Sequence, residues 1–213
     1  MCLQQNMTSI AQEFRYFGLI GYNYGNTSIQ NTSVLFQTQT VHVWGFGIIG
    51  VQETCSSYAE LINMSISVRF SSSSGGYVGS VCGAPQGQNF SIQNTNVNDS
   101  IINSGASQVG GLCGYQYSQT NMTIYNSTIL KSNISGSGNV GGLIGYCQSQ
   151  TVYLINLKIM FVRLSASSTV GIVSGQNGGV YYFTGSLSSS NYINDVLQKD
   201  CSVLSNYWSV AGC

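Results

Sequence analysis

The stretch VGGLCGYQYSQTNMTIYNSTILKSNISGSGNVGGLIGY, residues 109–146, decides the fold. It opens on VGGLCGY and closes on VGGLIGY, so one structural unit is written out once and then restarted. Outward from it, the glycine that closes each short apolar word recurs at Gly21, Gly50, Gly83, Gly114, Gly145 and Gly175. The spacings are 29, 33, 31, 31 and 30 residues, and the words are GLIG, GIIG, SVCG, GLCG, GLIG and IVSG. Self-similarity at a fixed period of this length is the mark of a repeat architecture.

A second marker lies inside each unit. IQN, LIN, IQN, IYN and LIN end on Asn31, Asn63, Asn94, Asn126 and Asn156, and an apolar residue follows at Val34, Ile66, Val97, Ile129 and Ile159. In the sixth unit Thr184 falls near the Asn position, with Leu187 after it. A Ser- and Gly-rich stretch, as at 71–76, 104–108, 135–139 and 165–169, leads into the next glycine word. Short runs of Ile, Val, Tyr and Thr between Gly, Ser and Asn turns read as strands. One such unit cannot bury its own apolar face, so neighbours must stack.

These features predict an all-β, right-handed parallel β-solenoid of about six to seven coils with a repeat of about 31 residues, the hand following from the crossover rule for parallel strands. Leu19, Ile48, Val81, Leu112, Leu143 and Ile172 are expected in register. So are Ile20, Ile49, Cys82, Cys113, Ile144 and Val173, and strand alternation sends only one of the two rows inward unless a corner intervenes. The five asparagines are expected to form a buried corner ladder, with amides bonded coil to coil. The solenoid is read over 16–190, residues 1–15 as a cap or partial coil, and 191–213 as a terminal cap or tail, with a short helix over 191–200. The first fifteen residues lack the basic and apolar regions of a secretory leader.

Composition narrows the function classes. Only 6% of the 213 residues are charged and the formal net charge is zero, so no basic footprint for nucleic acid or an anionic membrane surface exists. No apolar run reaches the length of a membrane-spanning helix. His42 is the sole histidine, and its neighbours Val41, Val43 and Trp44 supply neither nucleophile nor acid. The six acids, Glu13, Glu53, Glu60, Asp99, Asp195 and Asp200, are dispersed; only Glu53, Glu60 and Asp99 fall near enough in repeat phase to form a carboxylate pair of the kind polysaccharide-cleaving enzymes use. No metal-ligand spacing or cofactor motif occurs, so neither a catalytic residue nor a cofactor is expected.

Of the seven cysteines, Cys82 and Cys113 occupy the position that Ile20, Ile49 and Ile144 fill in other units, and read as small core residues; Cys201 and Cys213 are the candidate disulfide. Nine Asn-x-Ser/Thr sequons exceed what the composition gives by chance and point to a secreted glycoprotein. With Asn31, Asn63 and Asn126 assigned to the buried ladder, Asn6, Asn26, Asn89, Asn98, Asn121 and Asn133 are the candidate acceptors.

The words GGLCGY and GGLIGY, each followed by IxN and a Ser/Gly-rich stretch, resemble the GLUG repeat family, known from bacterial surface adhesins and protist surface proteins. The resemblance is specific at 110–115 and 141–146, good at 18–22, and degraded at 80–83 and 172–175; it covers 16–187. It implies an extracellular or cell-surface β-solenoid serving as stalk or adhesive segment, with no catalytic residues to carry over. Its implied partners are further repeats or neighbouring solenoids end to end, and glycans or host and cell-surface proteins. A polysaccharide-acting β-helix enzyme is the alternative. An ice-binding face is a weaker one, since only Thr38 and Thr40 form a Thr-x-Thr pair.

Overall fold

The computed structural model describes residues 2–6, 13–53, 58–148, 151–178, 180–185, 187–189, 191–193 and 196–197. All its regular elements are strands, and their pairings are parallel apart from one short pair near the end of the described chain. The chain is a parallel β-solenoid. Two of its faces are sheets of six strands each, so about five full turns separate the first rung from the last. That is close to the six to seven coils expected.

The glycine words open one face, whose rungs are Ile20–Asn23, Ile49–Gln52, Cys82–Pro85, Cys113–Gln116, Ile144–Cys147 and Ser174–Asn177. The second face, leading to the IxN marker, stacks Thr27–Gln30, Tyr58–Ile62, Asn89–Gln93, Asn121–Tyr125, Thr151–Ile155 and Val180–Thr184. The third is longer. Its early rungs are the unbroken strands Ser33–Phe46 and Ser65–Gly79; later coils divide the same path into pieces such as Asn96–Asn98 and Ile101–Gly110. Cys2–Asn6 and Glu13–Phe17 pair in parallel with Ser33–Phe46, adding a rung to this face.

Alternation buries one side of the strands on the IxN face and most of the long face, whereas the glycine-word rungs are buried on both sides. Val34, Ile66, Val97, Ile129 and Ile159 stack in one buried column, and Phe36, Val68, Phe46 and Phe70 fill the early coils. Both apolar rows of the glycine words are buried: Ile48 and Ile49, Val81 and Cys82, Leu112 and Cys113, Leu143 and Ile144 each expose 2% or less. The corner that permits this lies at Gly111 and Leu112, between Ile101–Gly110 and Cys113–Gln116.

Two register assignments in the last unit shift by one residue. Ile144 pairs with Ser174, not Val173, and this moves Val173 into the phase of Leu143 in place of Ile172. Likewise Ile159 pairs with Ser188 and Lys158 with Leu187. In both places an apolar residue attracts the alignment, whereas the glycine sets the phase. The helix expected over 191–200 is absent from its described part: Tyr192–Ile193 continues the parallel stack on Arg163 and Leu164, and pairs antiparallel with Val196–Leu197.

The conserved-phase glycines exist because two faces meet back to back. A Cβ on Gly145 would lie 2.6 Å from both the Gly114 carbonyl oxygen and the Val109 amide nitrogen, main-chain atoms of the stack that cannot swing away. Gly25, by contrast, has open space around it. Gly145→Ala is therefore expected to destabilise by about 1–3 kcal/mol or more through overpacking, and Gly25→Ala to leave the urea midpoint nearly unchanged.

Candidate interaction surface

Each turn after the IxN marker needs one residue with a left-handed backbone. Asn31, Asn63, Asn94, Asn126 and Asn156 all take it, with φ between 47° and 55°. Asparagine tolerates this region better than other side-chain-bearing residues, and glycine adopts it freely. The sixth position confirms the rule: Ile155 pairs with Thr184, so Gly185 (φ 62°), not Thr184, stands at the end of the column.

The amides do bond coil to coil, in part. Asn63 Nδ2 donates to Asn31 Oδ1 (2.9 Å), Asn94 Nδ2 to Asn63 Oδ1 (3.1 Å) and Asn156 Nδ2 to Asn126 Oδ1 (3.1 Å). No side-chain bond joins Asn94 to Asn126 among the described residues. All five are exposed, which corrects the buried ladder expected from the sequence. Their sequons at Asn31, Asn63 and Asn126 are therefore as open to solvent as the others.

A second left-handed corner, at Asp99, Lys131 and Phe161, begins only in the third coil. It inserts one residue, since Asn96 pairs with Ser65 but Ile101 with Arg69, and it breaks the long strand there. The residue after a left-handed corner is often a buried hydroxyl that closes the turn. Ser100, Ser127 and Ser132 each donate to the carbonyl two residues back (3.3, 2.9 and 2.9 Å). The same oxygens accept amides of the preceding coil, from Val68, Thr95 and Ser100 respectively. At the last coil Asn191 likewise accepts an amide of the preceding coil, that of Val162, but donates back across the coil to the Ile159 carbonyl, both at 2.9 Å. Sequence reading missed this column, because Ser and Thr are too common here to stand out.

The candidate acceptor asparagines fall into place on this frame. Asn89 and Asn121 are register partners on the IxN face and both are exposed. Asn26, also exposed, begins the same column and accepts the Tyr58 amide through Oδ1 (3.2 Å). Asn133 is exposed and Asn98 half-buried beside the second corner. Asn6 lies in the strand Cys2–Asn6, with its side chain outside the described atoms. Further along that face Tyr153 and Tyr182 stack outward, 5.3 Å apart and 18° from parallel. Tyr77, Tyr115, Tyr117 and Tyr146 cluster elsewhere; burial, then the bond to the Tyr77 hydroxyl, raises the Tyr117 phenol above its ordinary value.

The acids are not brought together. Glu53 follows the rung Ile49–Gln52 and accepts the Tyr22 hydroxyl; Glu60 points outward from the next face and accepts Ser28 Oγ (2.9 Å); Asp99 forms the second corner. Among the described residues no group of three or more His, Cys, Asp or Glu side chains could hold a metal ion. His42 does find a partner, one coil away: its Nδ1 lies 2.9 Å from Ser74 Oγ. Ser74 Oγ also lies 3.2 Å from the Val41 carbonyl oxygen. Thr38 and Thr40, the only Thr-x-Thr pair, are buried, and Thr40 Oγ1 bonds the His42 carbonyl (3.1 Å).

Searches against family models, curated proteins and solved structures give no match to this chain.

A concave site lies on the long face, across Ser33–Phe46, Ser65–Gly79 and Ile101–Gly110. It is an open groove of about 330 Å³ lined by Gln39, Thr40, Val41, Ser71, Ser72, Ser73 and Asn103, none of them charged. Gln39, Ser71 and Asn103 are in register on three successive rungs. At the groove Ser72 Oγ and Ser104 Oγ are 2.6 Å apart, and Ser73 Oγ donates to the Val41 carbonyl (2.8 Å). Beyond it Trp44 stands about half exposed, edge-on to His42 at 5.6 Å.

The cysteines are structural where they are described. Cys82 and Cys113 are register partners, fully buried and unbridged. Cys147 is buried too, its thiol against Gln116 Oε1 (2.6 Å). Cys201 and Cys213 lie outside the described residues. Burial drives the Cys82 thiol well above its usual range, a shift reinforced by Cys113, and the same burial raises Cys113. Both stay protonated at neutral and mildly alkaline pH, and thiols in that state are poor nucleophiles. Brief iodoacetamide treatment of the folded protein, followed by peptide mapping, should leave both unmodified, and denaturant should expose both.

The left-handed column gives a sharper test of the Asn role. Asn94→Ala places a Cβ-bearing residue without a compensating amide at φ 49° and should cost about 1–2 kcal/mol. Asn94→Gly should keep about 1 kcal/mol more stability than the alanine variant, because glycine meets the backbone requirement. Equal urea midpoints for the two variants would show that the exposed amide bonds, and not the backbone, set the cost.

Proposed function

We propose that this chain is a non-enzymatic extracellular or cell-surface repeat module, acting as a stalk and as a lateral adhesive surface. The observation that carries the reading is the outward side of the IxN face. Across its six rungs the outward positions are mostly amides, hydroxyls and tyrosines, interrupted by Ile62, Ile155 and Val180, with Glu60 as the one charge. Such a surface is broad, regular and neutral, which suits multivalent contact along a rod better than chemistry at a point. The exposed sequon column of Asn26, Asn89 and Asn121 supports passage through a glycosylating secretory route. The likeness of 110–115 and 141–146 to GLUG repeats supports the same reading. Parallel rungs also allow further coils, or a neighbouring solenoid, to continue the stack end to end.

The test is immunolabelling of intact source cells, paired with deglycosylation of the native protein. Surface label before permeabilisation, and a mass loss on enzymatic removal of N-glycans mapping to Asn26, Asn89 or Asn121, are the expected results. Label confined to permeabilised cells, together with an unglycosylated mass, would overturn the proposal.

A further inference from the structure

The groove on the long face carries an inference beyond a general adhesive surface. Three of its lining positions, Gln39, Ser71 and Asn103, lie on consecutive coils in one column. Some polar columns of this solenoid bond from coil to coil, as the asparagine column does in part and the corner hydroxyls do. In this one no side-chain bond joins the first three rungs. The Gln39 amide and the Ser71 hydroxyl bond to nothing among the described residues, while Asn103 only accepts, through Oδ1, from Ser135 Oγ (3.0 Å) and keeps its Nδ2 donors unused. Three rungs therefore offer two amide N–H₂ groups, an amide carbonyl and a hydroxyl to one concave volume.

The rest of the lining says what would use them. Val41, 47% exposed, gives the groove an apolar patch, and Trp44, 51% exposed, stands three residues further along the same strand. The column neighbour of Trp44 is Gly76, so no side chain from the next rung covers that flank of the ring. A few convergent uncharged donors and acceptors beside an apolar patch, with a broad aromatic face at hand, match a ligand rich in hydroxyls, without charge, and with one C–H-lined side. The volume of about 330 Å³ is at the small end of ligand sites and suits a few sugar rings. We propose that this groove binds a neutral hexopyranose saccharide, with Gln39, Ser71 and Asn103 holding its hydroxyls and Val41 meeting its C–H face. The inference deepens the adhesive reading and rests on it for its biological setting. The same chemistry has two sources: a free or cell-wall polysaccharide, and the N-linked glycan of another glycoprotein.

The experiment titrates the full chain by calorimetry and tryptophan emission with two probe sets. One is cellohexaose, laminarihexaose and mannohexaose; the other is a high-mannose glycopeptide; polygalacturonate is titrated beside them as the charged comparison. Saturable binding to at least one probe, unaffected by added salt, is expected. Gln39→Ala and Asn103→Ala, both at exposed positions, should each weaken it about tenfold, the loss of one or two polar contacts. Asn89→Ala, on the other face, should not. Preference between the two sets assigns the source. No saturable binding, binding equal in the groove variants, or binding confined to polygalacturonate and abolished by salt would each overturn the proposal. Adhesion of protein-coated beads to cells is measured in parallel. Bead adhesion without saccharide binding removes the groove assignment and leaves the adhesive module standing; saccharide binding without bead adhesion does the reverse.

Discussion

The structure depends on coil-to-coil register. Each interior rung hydrogen-bonds through its backbone to the rung one repeat earlier and the rung one repeat later, alternate residues serving the two sides. Any side chain must therefore coexist with copies of its own position about 4.8 Å above and below. This single constraint explains the composition. Like charges in a column would repel without relief, and the chain carries few charges. Amides, hydroxyls and aromatic rings stack on their own kind with gain, and the asparagine corner and the Tyr153–Tyr182 pair use this. Where two faces close on each other, even a methyl group is excluded, and glycine holds its phase through all six units.

The same constraint decided what could be read from the amino acids alone. The repeat, the parallel stacking and the identity of the main columns are visible because the period is strong and the same short glycine and asparagine words return at it. The reason for the asparagines was misjudged. A recurring Asn suggests an amide ladder, but the shared feature of Asn31 through Gly185 is the sign of φ, and Gly185 in the sixth unit carried that signal. Two slips in the last unit arose in the same way, from aligning on Val173 and Leu187, when the glycines Gly175 and Gly185 set the phase.

The candidate site was far less legible. Gln39, Ser71 and Asn103 lie 32 residues apart, share no residue type, and sit among many other polar residues. Only the stacking of three coils brings them to one groove. His42 and Ser74 show the same limit, since their contact crosses one full coil.

The backbone hydrogen bonds between rungs lie along the axis of the stack, and this has a mechanical meaning. A pull on the two ends of the solenoid loads successive rung interfaces in series, not in parallel, so the weakest one yields first and the others keep their form. The column of Asn31 to Asn156 lacks its link between Asn94 and Asn126, so at this corner the interface between the third and fourth coils has one tie fewer than its neighbours. Each coil that lets go releases roughly 31 residues, about 100 Å of extended chain. A protein built this way lengthens under load in discrete steps and stays attached at both ends, as a shock-absorbing tether does.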